Sequence, residues 1–303
     1  MLKHNLQLRD GALQIWQAGV EAVRSPRLVR QALRVEGQTL FIGQDAIPLD
    51  SIRRIVVVGA GKAGAGMARA VEDVLGPQWM EEKNVAGWVN VPADCVQTLQ
   101  RIHLHAARPA GVNEPTPEGV AGAIEILKLV ESLGPDDLCL CLISGGGSAL
   151  MPAPVDGITL ADKLAVTRYL SAAGANIEQL NTVRKQLSRI KGGGLLRACR
   201  AGRMVSLMIS DVLGDPLNII ASGPTVPDSS TPADALDVLE QFAARRAGIS
   251  PAVFEYLDKN EILHFAQNDK RATNLIIGNN ATSVDAAGKE AERLGYQVVT
   301  ESA

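Results

Sequence analysis

Apolar positions along the chain follow two rhythms. Short runs of β-branched and aliphatic residues at 54–58, 86–91, 102–106, 138–143 and 205–209 read as buried strands bounded by turn residues. Longer stretches with helical spacing lie between them, at 63–75, 160–172 and 177–188. Thr116 can cap a further helix through 133, with Pro117 at its first position, and Pro232 opens another over 231–246. Two helices, 8–23 and 26–33, and a short strand, 39–42, precede the first long strand. Strands alternating with helices predict an α/β fold: a Rossmann-like parallel sheet with helices on both faces.

The rhythm breaks over 246–271, which reads as a connection. A second unit then starts, with a strand at 274–277, a turn at Gly278-Asn279-Asn280, a helix at 281–294 and a strand at 296–299. One such β-α-β unit cannot cover both faces of its own sheet. The expected division is a first domain over 1–245 and the start of an incomplete second α/β domain over 272–303.

Composition narrows the class. The chain has 303 residues, 46% of them hydrophobic, enough to build a core without disulfides. Its net charge of −3 offers no basic excess for a nucleic-acid backbone. Cys95, Cys139, Cys141 and Cys199 form no CxxC pair, and the histidines at 4, 103, 105 and 264 show no metal or triad spacing. The first residues are broken by Arg9, Asp10 and Gln14 and do not form a secretory signal, and no apolar run has membrane-spanning length. A reducing cytoplasm and no membrane are the expectation; the oligomeric state stays open, a homo-oligomer included.

Four segments carry candidate chemistry. Gly59, Gly61 and Gly64 satisfy the G-x-G-x-x-G pattern between a strand and a helix. Lys62 sits inside that turn, where the helix dipole disfavours a cation, so it is either anion-binding or merely solvated. Ser144-Gly145-Gly146-Gly147-Ser148 follows a buried strand and suits backbone N–H groups approaching an anion; the alternative is a flexible turn. Arg184, Ser188 and Lys191 recur at helical spacing, and next to two such loops Arg184 and Lys191 point to phosphate or carboxylate groups. Asp211 and Asp215, beyond the end of another strand, can hold Mg²⁺ or take a proton from a hydroxyl, unless Asp211 simply caps a turn.

Taken together, GAGKA at 59–63, LISGGGSAL at 142–150, NTVRKQLSRIKGGGL at 181–195 and ISDVLGDPLNIIASGPT at 209–225 resemble the class II glycerate kinases. Members carry a C-terminal MOFRL domain and have also been labelled hydroxypyruvate reductases. The resemblance implies transfer of phosphate from ATP, with Mg²⁺, to a hydroxyl of D-glycerate, most often the 2-hydroxyl. It implies a small-molecule substrate and a site in the cleft between two α/β domains. A catalytic role falls to the GAGKA lysine, here Lys62, and an essential arginine is expected beyond residue 303. On this reading the two glycine loops (Gly59, Gly61, Ser144, Gly145, Gly146, Gly147 and Ser148) hold the nucleotide, and Arg184 and Lys191 the substrate. Asp211 acts as base or metal ligand with Asp215 in support. The family's histidine-proline-x-proline-aspartate segment is replaced here by HAARPAGVNEPTPEG at 105–119, where Asn113 and Glu114 become candidate substrate contacts.

Two rivals stand beside the kinase. An NAD(P)-dependent hydroxypyruvate reductase follows from the first glycine pattern, but requires an acid at the end of the next strand, and Asp94 lies beyond that end. A non-catalytic ligand-binding remnant follows from the expected truncation.

Overall fold

In the computed structural model, residues 2–259 and 271–299 are described, with side chains from residue 7 onward. The chain opens with helices α1 (Leu2–Ala22) and α2 (Ser25–Ala32). A small antiparallel sheet of β1 (Leu33–Glu36), β2 (Thr39–Ile42) and β3 (Asp45–Pro48) follows. Then come β4 (Arg54–Ala60), α3 (Gly64–Glu82), β5 (Ala86–Pro92), β6 (Ile102–Arg108), α4 (Pro117–Glu131) and β7 (Asp137–Ile143). The short α5 (Gly147–Leu150) leads to α6 (Leu160–Ala172), α7 (Ile177–Gln186) and α8 (Gly194–Ala198). The remaining elements are β8 (Arg203–Ile209), α9 (Pro232–Gln241), α10 (Pro251–Lys259), β9 (Ala272–Gly278) and α11 (Asn280–Arg293).

Strands β4 to β9 form one parallel sheet in the order β6-β5-β4-β7-β8-β9. Its strands alternate their side chains between two cores, as the two-residue period requires. Ile55 and Val57 of β4 and Leu138 and Leu140 of β7 pack beneath α3, against Met67 and Val71. Val56, Val58, Cys139 and Cys141 face the other way, toward Ile126 and Val130 of α4. Cys139 and Cys141 are therefore small core residues, as their place in an apolar run suggested.

The chain runs outward from β4 to β5 and β6, then returns to β7 on the other side. The switch point lies between the carboxyl ends of β4 and β7, the place where open sheets of this order bind ligands. Both of the first two glycine loops leave the sheet there. A third core, formed by α6, α7, α9 and α10 around Val166, Leu170, Val183, Leu239 and Phe254, is separate from the two sheet cores. Capping boxes at Thr159/Asp162, Asn176/Gln179 and Thr231/Asp234 start three of those helices.

The end of the described chain differs from the sequence expectation. The 246–271 stretch is not only a connection: α10 buries Val253, Phe254 and Leu257 in the third core, while 260–270 lies outside the described residues. The strand expected to found a separate unit is β9, which pairs with β8 from Met204↔Ala272 to Ile209↔Gly278 and so completes the same sheet. Sequence distance does not reveal which sheet a parallel strand joins, because a crossover can be of any length. Residues 296–299 form no strand. No helix among the described residues is long and apolar enough to cross a membrane.

Candidate active site

The two loops at the switch point are stitched to each other. Lys62 N donates to Gly145 O at 2.9 Å, Ser144 N to Ala60 O at 3.2 Å, and Ala63 N to the Ser144 hydroxyl at 3.0 Å. Such closeness excludes side chains. A Cβ on Gly59 would stand 2.0 Å from Leu142 O, and one on Gly61 2.0 Å from Ser144 Oγ. A Cβ on Gly64 would meet Val89 at 2.9 Å. The glycine spacing that resembled a dinucleotide fingerprint is thus explained by contact between β4, its loop and the neighbouring strands. Gly59, Gly61 and Ser144, expected to contact a nucleotide, are here packing residues; the Ser144 side chain is buried and already accepts a hydrogen bond.

Gly145 and Gly146 are different. Their missing side chains make room for charged groups from three other strands. Asp211, after β8, brings Oδ2 to 2.5 Å from the point a Cβ on Gly145 would occupy. Arg108, at the end of β6, places Nη2 3.0 Å from the corresponding point on Gly146, and the Lys62 stem passes 3.6 Å from it. Gly146 also takes the left-handed conformation, φ +84°, that glycine adopts without strain. Lys62 and Asp211 are exposed, and neither side chain has a hydrogen-bond or ion-pair partner among the described residues. One glycine loop thus gathers a lysine, an arginine and an aspartate, groups suited to an anion and a metal ion.

Beside it, past Ser148, lies a cavity of about 190 Å³ lined by Asn113, Glu114, Ser148, Lys163, Arg184 and Lys191 among others. Lys191, 3% exposed, donates to Ser148 O at 2.9 Å and to the Ser148 hydroxyl. Arg184 Nη2 donates to the same hydroxyl at 2.7 Å. Lys163 reaches from α6 to Leu187 O at 2.6 Å. All three cations are largely buried, and none has a carboxylate partner among the described residues. Burial first, then mutual repulsion, lowers the proton affinity of the two lysines: Lys163 is pushed down to about 7, and Lys191 well below its ordinary value. Burial alone lowers Arg184. A cluster of this kind is short of one anion.

Of the expected site residues, Lys62, Gly145, Gly146 and Asp211 meet at the loop. Arg184, Lys191, Ser148, Asn113 and Glu114 meet at the cavity, and Gly147 lies between the two. Glu114 is held by a bidentate bridge from Arg168, Nε to Oε1 at 3.0 Å, so it fixes the rim. Asp215 is tied to Asn279, the N-cap of α11, and departs from the supporting role expected beside Asp211. Among the described residues no group of three or more His, Cys, Asp or Glu side chains could hold a metal alone. Asp211 with nucleotide oxygens is the combination Mg²⁺ ordinarily takes.

Lys163 and Arg108 escaped sequence reading. Lys163 lies on the buried stripe of α6 with Val166 and Leu170, and a lysine in a core stripe was the available signal. Arg108 ends a parallel strand at the ligand-binding edge, a weaker signal.

Residues 11–258 match the domain family described as Domain of unknown function (DUF4147). Human glycerate kinase is 37% identical over the whole of this chain and 59% of its own length. The crystal structure of glycerate kinase from Thermotoga maritima superposes with a TM-score of 0.78 at 32% identity, covering 95% of this chain and 63% of that one. The PH0495 protein of Pyrococcus horikoshii reaches a TM-score of 0.82 at 31% identity, over 96% of this chain and 64% of its own. The chain spans about three-fifths of the length of these relatives. Its sheet order, its two loops and its sequence agree on one conclusion: the chain belongs to the DUF4147 family, whose relatives here include glycerate kinases.

Proposed function

We propose that the chain binds glycerate in the cavity and the phosphates of ATP on the Gly145-Gly146-Gly147 loop, as part of an ATP- and Mg²⁺-dependent glycerate kinase acting on the 2-hydroxyl. The observation that carries this is the cluster of two buried lysines, Lys163 and Lys191, with the half-buried Arg184, three cations without a carboxylate among the described residues. Its cavity of about 190 Å³ presents these cations to a small carboxylic acid such as glycerate. The nucleotide belongs to the open glycine loop, where Lys62 faces a charged phosphoryl group and Asp211 can take a metal ion. Mg²⁺, when bound, supplies charge neutralisation across the phosphate oxygens. Arg184 and Lys191, which both donate to the Ser148 hydroxyl, would hold the carboxylate and orient the acid toward the loop.

Calorimetric titration of the 303-residue chain tests the reading. D-Glycerate and a non-hydrolysable ATP analogue with Mg²⁺ should each bind, and NADH should not. Binding of NADH alone would replace the kinase with the reductase.

A further inference from the structure

Arg108 is a buried charge whose donors are left unfilled. It is 3% exposed, and its Nε and Nη1 are buried without any hydrogen-bond partner. No acidic side chain pairs with it among the described residues, and burial is the sole cause lowering its pKa. A guanidinium does not shed its proton to escape such a site, so the charge stays and remains uncompensated. Structural arginines are normally buried with their donors filled. The buried Asp137 at the opposite end of the sheet shows the contrast, taking bonds from both Arg53 and Arg54.

The direction of Arg108 is specific. Its Nη2 faces Gly146, on the side along which the Lys62 stem runs. The amides of Gly145 and Gly146 donate to no acceptor among the described residues. An anion resting on these two glycines would meet free amides and the Arg108 fork, with the Lys62 stem alongside. A single carboxylate has too few oxygens to use them all, whereas a phosphoryl group has three outer oxygens and more charge. The carboxylate already has its own cations in the neighbouring cavity. We propose that Arg108 is a phosphate-binding residue that holds the terminal phosphoryl group of the nucleotide against Gly145 and Gly146, beside Lys62. The proposal rests on the kinase reading and adds to it a second, separate anion subsite with its own arginine.

Arg108→Met and Arg108→Lys test it by two readouts. The first is stability without ligand. Replacing an unpaired buried charge by an apolar side chain of similar length should raise Tm, whereas loss of a structural arginine lowers it. The second is calorimetry. Arg108→Met should weaken binding of the Mg²⁺–ATP analogue by about tenfold to a hundredfold, the worth of a bond to a charged group, and leave D-glycerate affinity unchanged. Arg108→Lys should recover part of the loss. Wild-type affinity for the analogue in Arg108→Met overturns the proposal and leaves the kinase reading standing. Equal loss of both ligands, or a lowered Tm, also overturns it, because Arg108 would then be a scaffold residue. If the unaltered chain binds neither ligand, the kinase reading falls and this proposal with it.

Discussion

Asp211 and Gly145 are in such close contact that no other residue type fits at 145 without moving the carboxylate: Asp211 Oδ2 lies 2.5 Å from where a Cβ would begin. Gly145 has an ordinary backbone conformation, so alanine there meets only the end of one exposed side chain. Gly145→Ala is expected to cost about 1 kcal/mol of stability or less and to weaken Mg²⁺–nucleotide affinity about tenfold, as displaced metal-site groups do. Thermal melts and titrations with and without Mg²⁺ measure both. An unchanged Mg²⁺ dependence would remove Asp211 from the metal site.

Lys163 makes the protein pH-sensitive near neutrality. Its folded value lies near 7 and its unfolded value is the ordinary 10.5. Between those limits the unfolded chain holds a proton that the folded chain has released, so stability rises with pH across the window. Below it Lys163 is charged in both states and the full cost of burying the charge is present. Tm should climb from pH 7 to pH 9, and Lys163→Met should lessen the rise, leaving the part that Lys191 contributes. A bound carboxylate favours the charged form again, so D-glycerate binding near pH 8 should take up protons, read as a difference in binding enthalpy between two buffers.

The two loop serines separate cleanly. Ser144→Ala strips the acceptor from the Ala63 amide and should cost about 1–3 kcal/mol in denaturant melts, with both ligand affinities intact. Ser148→Ala removes the hydroxyl shared by Lys191 and Arg184 and should chiefly lower D-glycerate affinity. The reverse pattern would exchange their roles.

Lys62→Ala removes a cation that nothing else in the described fold employs. Steady-state assays should show kcat lowered by about 10²–10³, the typical effect of losing one charge-stabilising donor, and the glycerate affinity retained. Near-normal turnover would take Lys62 out of the chemistry.

Much of this was legible in the residues. The strands at 54–58 and 138–143 grew by only one or two residues at an end, because short continuous apolar runs leading into glycine-rich turns mark buried strands. The loops, Lys62, Arg184 and Lys191 are conspicuous in the sequence because glycine clusters and cations stand out against apolar neighbours. What stayed hidden depended on three-dimensional packing. Gly59 and Gly61 looked like ligand contacts, yet they answer to Leu142 and Ser144, residues more than eighty positions away in the chain. Lys163 is one cation in a helix until α7 is laid beside it. Arg108 became conspicuous only when its buried Nε and Nη1 proved to have no hydrogen-bond partner. The placement of β9 depended on pairing with β8, which no local pattern encodes.

The stitching of the β4 and β7 loops has a thermodynamic consequence. Backbone bonds from Lys62 and Ser144, with the Ala63–Ser144 bond, fix both loops while the chain folds. The ordering entropy of three neighbouring glycines is therefore lost at folding and is not charged against the ligand on arrival. An anion meets amides already in position, on an edge with little freedom left to give.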